Sequence, residues 1–559
     1  MSSSGSSPGG RYGRHFRLAL GAICFAFVVA CVVLVLRRPT GVFWSVDSFH
    51  KHIQIESLRW DNGFRFDFPY SSRRWDPAGE FAPLGPTFFH VKDGELRLVW
   101  PLPFFLASYP FYRAFGANGL YALPILSGAL VVWLTGTTAE RIRAGRGLIA
   151  ALIVATSTPV LTYSVLFWEH LPSVALALLG LALLAPRRED PWWRLVLGTA
   201  SFALAAGAIR ADIYVLFAVA LVVRISAAKR PIRETILLGT TSLATSAPLW
   251  LMNIAVAGRA LPLNAAQNFA DTSQHYLLHP LSQILLELTL GTDPPAAIRA
   301  GFIGATAALI VLRFLARRGV RGADVASWIA LGGVTWSCVG LTSVVRTTGL
   351  YHGLLGCVPG LVVAFVDLGR RPDEHPSRVF LRHTLWLYLP LYLLSLCLTS
   401  PLGPAAGAME IAPRFAIPFY PALAIVAATI SIPRASRKVA VLSALAAFLM
   451  GVRFQAAAIT EVEARAARDF PVIRKLSTIR EPLVTDLWWL PQFSVTTLIS
   501  RPTYRVEGGR WAEWLARSGE RHFVFATLGD PPRPPALASC VEVGRDRVAD
   551  LVLKTLECP

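Results

Sequence analysis

The sequence predicts a mainly α-helical, polytopic membrane protein that ends in a small α/β domain, and three observations predict it. Of the 559 residues, 54% are hydrophobic and only 16% are charged, and apolar runs near the ~20 residues that cross a bilayer recur along the chain. The formal net charge of +19 is spread over short Arg and Lys clusters between those runs, which is the signature of membrane topology and argues against nucleic acid as a partner. After Arg453 the chain turns polar and carries strand-like patterns.

Taken in order, Ser2 to Gly10 is Ser/Gly-rich, and residues 1–17 form a disordered cytoplasmic tail ending in Arg11, Arg14 and Arg17. Val28-Val29-Ala30-Cys31 resembles a lipoprotein cleavage box, yet the apolar run Leu18 to Leu36 is too long for a signal core and predicts an uncleaved first helix. With the Arg-rich tail inside, that helix delivers the polar stretch Arg37 to Arg97, an outer loop over 37–98, to the other side. Its aromatic residues Trp60, Phe64, Phe66, Phe68, Tyr70 and Trp75 alternate with charged ones, a composition suited to the headgroup zone. Asp93-Gly94, between Phe88 to Lys92 and Glu95 to Val99, predicts a hairpin turn. Residues 101–116, broken by Pro101, Pro103 and Pro110, predict an interfacial helix.

Further spans are expected at 117–138, 148–167, 171–186, 194–210, 212–224, 234–257, 299–316, 324–345, 351–369, 381–399, 414–432 and 438–453, about thirteen with the first helix. This places the transmembrane domain at 18–453 and an extracytoplasmic soluble domain at 454–559. Six basic clusters, from Arg141/Arg143/Arg146 to Arg434/Arg437/Lys438, then fall on the inner side. In the tail, a helix is expected over Glu461 to Lys475 and strands at Pro482 to Leu487, His522 to Thr527 and Ser539 to Val543. Of seven cysteines, five lie in apolar runs, where Cys acts as a small hydrophobe; Cys540 and Cys558 lie in the outer tail, where they either form a disulfide or remain thiols.

The candidate chemistry sits at the outer ends of these spans. Asp47, a few residues beyond the first helix, can be held ionised in the interface as a general base; the bland alternative is a helix cap. Glu169 and His170, in a very short turn, either top their helices or add a second acidic and imidazole pair, and with Asp47 they are the groups that a divalent cation such as Mn or Mg would need. Arg210 and Asp212 read as an internal ion pair or as a phosphate grip. Arg346, His352 and Arg414 sit at outer span ends, where a guanidinium either binds a lipid phosphate or snorkels. The loop Gly258 to Arg299, with Asn264, Gln267, Asn268, Asp271, His275 and His279, reads as a solvated polar wall. No Gly-rich phosphate loop, Cys/His zinc spacing or Gly-x-Ser-x-Gly elbow occurs in the sequence, which leaves nucleotide and serine hydrolysis without support.

Four stretches together resemble the C-type (GT-C) polytopic membrane glycosyltransferases, which include protein O-mannosyltransferases, aminoarabinose transferases and oligosaccharyltransferase catalytic subunits. They are Asp47 in the first outer loop, Phe167-Trp168-Glu169-His170 in the second, Pro413-Arg414-Phe415-Ala416-Ile417-Pro418 before a late helix, and Thr485-Asp486-Leu487-Trp488-Trp489-Leu490-Pro491 in the tail. The resemblance implies a GT-C-like fold and transfer of a hexose or pentose from a polyprenyl-phosphate-linked donor to a glycan, lipid or protein hydroxyl, with inversion. It implies Asp47 as base, Glu169 as an assisting acid, and Arg414 as phosphate ligand, with Arg210 and Arg346 as further candidates. Many relatives have two adjacent acidic residues where this chain has Asp47-Ser48, which weakens a metal-dependent reading. A bacterial plasma membrane is the expected setting. A transporter or lipid flippase would instead show charges near the bilayer midplane, and a noncatalytic scaffold would need no acidic cluster.

Overall fold

The computed structural model describes residues 8–58, 67, 68, 70–84, 88–92, 94–187, 190–258, 260, 296–348, 354–366, 374–399, 417–493, 498 and 501–559. The chain opens with α1 (Pro8–Leu36), an apolar helix with Leu18, Phe25 and Leu36 exposed along it, as a lipid-facing helix requires. A short amphipathic helix, α2 (Val46–Glu56), follows, then the hairpin β1 (Phe89–Lys92) and β2 (Glu95–Leu98). In the hairpin Lys92 pairs with Glu95 across two turn residues, and Gly94 takes φ 73°, the left-handed conformation a tight hairpin turn needs. Helix α3 (Leu102–Phe115) keeps Pro110 inside it and passes through the 3₁₀ turn Gly116–Tyr121 into α4 (Ala122–Ile142).

Prolines break the next expected span. Residues 148–167 become α5 (Gly147–Ser157) and α6 (Val160–Ser164), parted at Thr158-Pro159, where proline cannot continue the ladder. Helices α7 (His170–Leu184), α8 (Trp192–Leu204), α9 (Ile213–Ser226) and α10 (Pro231–Ala257) follow. A π-helical turn, Ala205–Ile209, extends α8 to Arg210. Beyond it come α11 (Ala296–Arg317), α12 (Ala323–Thr348), α13 (Pro376–Thr399) and α14 (Phe419–Ala428). Among the described residues six helical stretches are long and apolar enough to cross a membrane, and five shorter apolar helices have 10–17 residues.

The last long helix, α15 (Arg437–Thr478), runs unbroken for 42 residues with Pro471 inside it, across the boundary at 453 where the sequence suggests two elements. The tail then forms a five-stranded sheet of β3 (Leu483–Thr485), β4 (Thr503–Arg505), β5 (His522–Leu528), β6 (Val541–Val548) and β7 (Leu551–Glu557), with α16 (Trp511–Ser518) between β4 and β5. Its order is β4-β3-β5-β7-β6; β3 is parallel to both neighbours and β7 is antiparallel to β5 and β6. A disulfide joins Cys540 to Cys558.

The chain divides into two compact units. The first holds Met1–Val35, Tyr121–Asn253 and Asn268–Glu461. Its helices meet through small residues: a Cβ on Gly180 of α7 would lie 2.3 Å from Phe202 Cδ2 of α8, so only glycine permits that approach. The second unit holds Leu36–Leu120, Ile254–Gln267 and Val462–Pro559, so the first polar stretch and the C-terminal sheet fold together. Phe81 joins Val484, Tyr504, Trp511, Trp514, Phe525 and Leu556 in one buried core. Fully buried Asp76 fixes the turn that places Phe81, accepting bonds from Tyr70 Oη (2.7 Å), Glu80 N (2.9 Å) and Phe81 N (2.8 Å). Ser72 Oγ donates to Tyr504 Oη at 2.8 Å.

Candidate functional site

In the second unit the site is built on α2. Its N-cap is Ser45, whose hydroxyl accepts from Ser48 N at 3.3 Å, which corrects the alternative that Asp47 caps the helix. Asp47 instead stands in the first turn, where the helix dipole favours a carboxylate. One turn on, at i+3 and i+4 on the same helix face, come His50 and Lys51. Both are fully buried, although a histidine and a lysine stand where an ordinary amphipathic helix would bury aliphatic groups. The His50 ring lies 4.2 Å from that of Phe88 and 6.3 Å from that of Trp100, and the Lys51 ammonium is 4.3 Å from the Trp100 ring centre, a cation–π distance. Burial pushes the His50 pKa down to about 3, with Asp47 pulling it up and Lys51 pushing it further down. The imidazole is therefore neutral at physiological pH, and among the described residues neither of its nitrogens has a hydrogen-bond partner.

At the far end of α2, Tyr112 of α3 donates to Glu56, and His52 Nε2 lies 3.6 Å from the same carboxylate. His52 and Tyr112 hold Glu56 below the usual carboxylate range. The helix is braced by the tail: Phe49 packs against Phe493 at 4.9 Å, which in turn meets Trp489 at 5.2 Å. Two of the four sequence stretches, around Asp47 and around Trp488-Trp489-Leu490-Pro491, thus adjoin. His50, Lys51 and Glu56 were not singled out from sequence; their i+3, i+4 and i+9 spacing from Asp47 was the available signal, whereas their burial is a tertiary fact.

In the first unit Glu169 and His170, each 4% exposed, open α7. Glu169 Oε1 is 4.0 Å from His170 Nδ1, and the His170 ring lies 5.1 Å from Trp168 and 5.6 Å from Tyr163. Arg210 and Asp212 form a two-bond ion pair, Nε to Oδ1 at 2.9 Å and Nη2 to Oδ2 at 2.8 Å, so this guanidinium already holds a carboxylate. The buried Tyr388 hydroxyl of α13 lies in the field of both charges. Arg346 belongs to α12, with its side chain not described, and His352 and Arg414 lie outside the described residues, as does the polar wall 261–295. Asp47 and Glu169 belong to different units. Among the described residues no three His, Cys, Asp or Glu side chains gather in a group that could hold a metal ion.

No family model and no curated protein sequence matches the chain. Among solved structures it is similar to ArnT from Cupriavidus metallidurans bound to undecaprenyl phosphate, at 13% identity and TM-score 0.47, over 95% of this chain and 97% of that one. It is also similar to the Archaeoglobus fulgidus oligosaccharyltransferase in complex with Zn and sulfate, at 12% identity and TM-score 0.47, over 89% of this chain and 67% of that one. A third similar structure is the same organism's AglB in complex with an inhibitory peptide and a dolichol-phosphate, at 12% identity and TM-score 0.44, over 90% of this chain and 69% of that one.

Proposed function

We propose that the protein is a membrane glycosyltransferase that moves a hexose or pentose from a polyprenyl-phosphate-linked donor to a hydroxyl of a glycan, lipid or protein acceptor, inverting the anomeric centre. The observation that carries this reading is the α2 turn, where a carboxylate in the first turn stands beside a fully buried lysine and a fully buried neutral histidine, walled by Phe88 and Trp100. The reaction needs these groups. The Asp47 carboxylate takes the acceptor proton as the acceptor oxygen bonds to the anomeric carbon, and the bond from that carbon to the phosphate oxygen breaks with its electron pair, releasing polyprenyl phosphate. Cations stabilise the charge that grows on the phosphate; Lys51 is the one on the same helix, with Arg414, Arg346, His352 and Arg210 as further candidates. Arg210 must share its guanidinium with Asp212 to take part. Glu169 and His170 are further acid–base candidates in the second outer turn, and the wall of Phe88 and Trp100 keeps water from competing on the α2 turn.

In the same reading the chain crosses a bacterial plasma membrane about thirteen times, with its N-terminus cytoplasmic and its C-terminal α/β region extracytoplasmic, where the Cys540–Cys558 disulfide persists. The test is transfer of labelled sugar from a panel of polyprenyl-phosphate sugars by membranes containing the native chain or Asp47→Asn at equal expression. The native chain should transfer, and the variant should lose roughly 10²–10⁴-fold of the rate, the usual contribution of a general base. Absence of transfer by the native chain across the panel would favour a transporter or flippase.

A further inference from the structure

In the first unit, an open groove of about 790 Å³ runs between the start of α8 and the first turns of α10, lined by Trp192, Pro231, Ile232, Ile236, Leu237 and Thr240 together with Arg230 and Arg233. Its volume lies within the range of ligand sites. Two features distinguish it from ordinary lipid-facing helix surface. Ile232, Ile236 and Thr240 follow one another at i, i+4 and i+8, so they form one stripe along α10, and Ile232 and Ile236 are 77% and 61% exposed, as is Trp192 at 65%. At the head of that stripe, among the described residues, no carboxylate is left to compensate the positive charge. Glu234, the one carboxylate in the first turn of α10, is taken by Arg224 at 2.8 Å, and Arg224 also binds Asp190 at 2.8 Å. Among the described residues Arg230 and Arg233 make no ion pair, and the N-terminal end of the 27-residue α10 adds its own positive potential.

We infer that this groove holds an anionic glycerophospholipid, with its phosphate at Arg230 and Arg233 and an acyl chain along Ile232, Ile236 and Thr240. Charge complementarity selects an anionic over a zwitterionic headgroup, and Trp192 stands where indole rings settle at the membrane interface. The groove lies at the opposite end of α9 from Arg210 and Asp212. Fourteen helical residues separate the two ends, about 21 Å at the usual rise, so the bound lipid occupies the other leaflet from Arg210 and Asp212.

The purified, delipidated full-length chain would be incubated in mixed micelles with phosphatidylglycerol, phosphatidylcholine or undecaprenyl phosphate, and retained lipid counted by native mass spectrometry alongside thermal unfolding. Phosphatidylglycerol should be retained and raise the melting temperature, while phosphatidylcholine should do neither. The pair Arg230→Gln/Arg233→Gln should lower phosphatidylglycerol retention roughly 30-fold, the product of two juxtamembrane cation contributions. Ile236→Trp, which fills the groove and leaves the charges, should lower it as well. The pair Arg434→Gln/Arg437→Gln, in another basic cluster, should leave it unchanged. Equal retention of the two phospholipids, an unaltered preference in the groove variants, or the same loss in the Arg434/Arg437 pair would overturn the inference. So would retention of undecaprenyl phosphate in place of phosphatidylglycerol, which would assign the groove to the donor lipid.

Discussion

Replacing Asp76 with alanine should unfasten the first polar stretch from the C-terminal sheet. Asp76 is fully buried and accepts from Tyr70 Oη, Glu80 N and Phe81 N at 2.7, 2.9 and 2.8 Å. Its removal leaves one buried hydroxyl and two backbone amides without acceptors, at about 1–3 kcal/mol each. Allowing the Tyr70 hydroxyl to find another partner, the local cost is about 3–5 kcal/mol, or a rise of roughly 10²- to 10⁴-fold in opening of this turn. Hydrogen exchange followed by mass spectrometry on peptides covering residues 76–84 reads that opening directly. The conservative Asp76→Asn keeps one acceptor oxygen, so it should cost less than half as much. Since Phe81 packs with Tyr504 and Trp514, protection in β3 and β4 should fall with it. Protection of residues 76–84 unchanged within about threefold in Asp76→Ala would refute the reasoning that this carboxylate, rather than the Phe81 packing alone, holds the loop.

Two further outcomes follow from the same unit. His50 has its folded-state pKa depressed to about 3, so the folded state binds fewer protons than the unfolded one below the usual imidazole value; its burial is tolerated above pH ~6.5 and costs increasing stability as pH falls toward 3, about 2 kcal/mol at pH ~5. Thermal unfolding of native chain and His50→Gln between pH 7.5 and 5 should show a steeper fall for the native chain, and parallel curves would contradict the assignment. Cys540 and Cys558 close a loop with a sequence separation of 18, for which loop entropy gives about 3 kcal/mol. Cys540→Ser should lower the unfolding free energy of the sheet by that amount, and treatment with dithiothreitol should reproduce the loss in the native chain only.

What the sequence made legible was local chemistry. Asp93-Gly94 announced the hairpin because its turn type depends on those two residues alone, and Arg210 and Asp212 announced their ion pair because a helix end between them leaves two opposite charges within reach. Apolar run length marked α10 and α11 to within a few residues. Run length misjudged 148–167, where Thr158-Pro159 breaks the helix; the expected span 438–453 and the expected helix Glu461 to Lys475 both form, and residues 454–460 between them are helical as well, joining the two in one element. Strands β4 and β7 escaped because three residues of Thr503–Arg505 carry too little pattern, and because Leu551–Glu557 draws its burial from its neighbours β5 and β6. In the site, Asp47 stood out by its distance from the first helix. The burial of His50 and Lys51 did not, since it depends on Phe88 and Trp100, which come from well further along the chain.

The central claim is that Asp47 is the base of a sugar transfer. Its most direct measurement is single-turnover transfer of radiolabelled sugar from a polyprenyl-phosphate donor by purified native chain, Asp47→Asn and Asp47→Glu, each with unfolding curves to establish equal folding. The account predicts transfer by the native chain, a loss of roughly 10²–10⁴-fold in Asp47→Asn, and partial recovery in Asp47→Glu, with all three equally folded. Equal rates in the native chain and Asp47→Asn would contradict it.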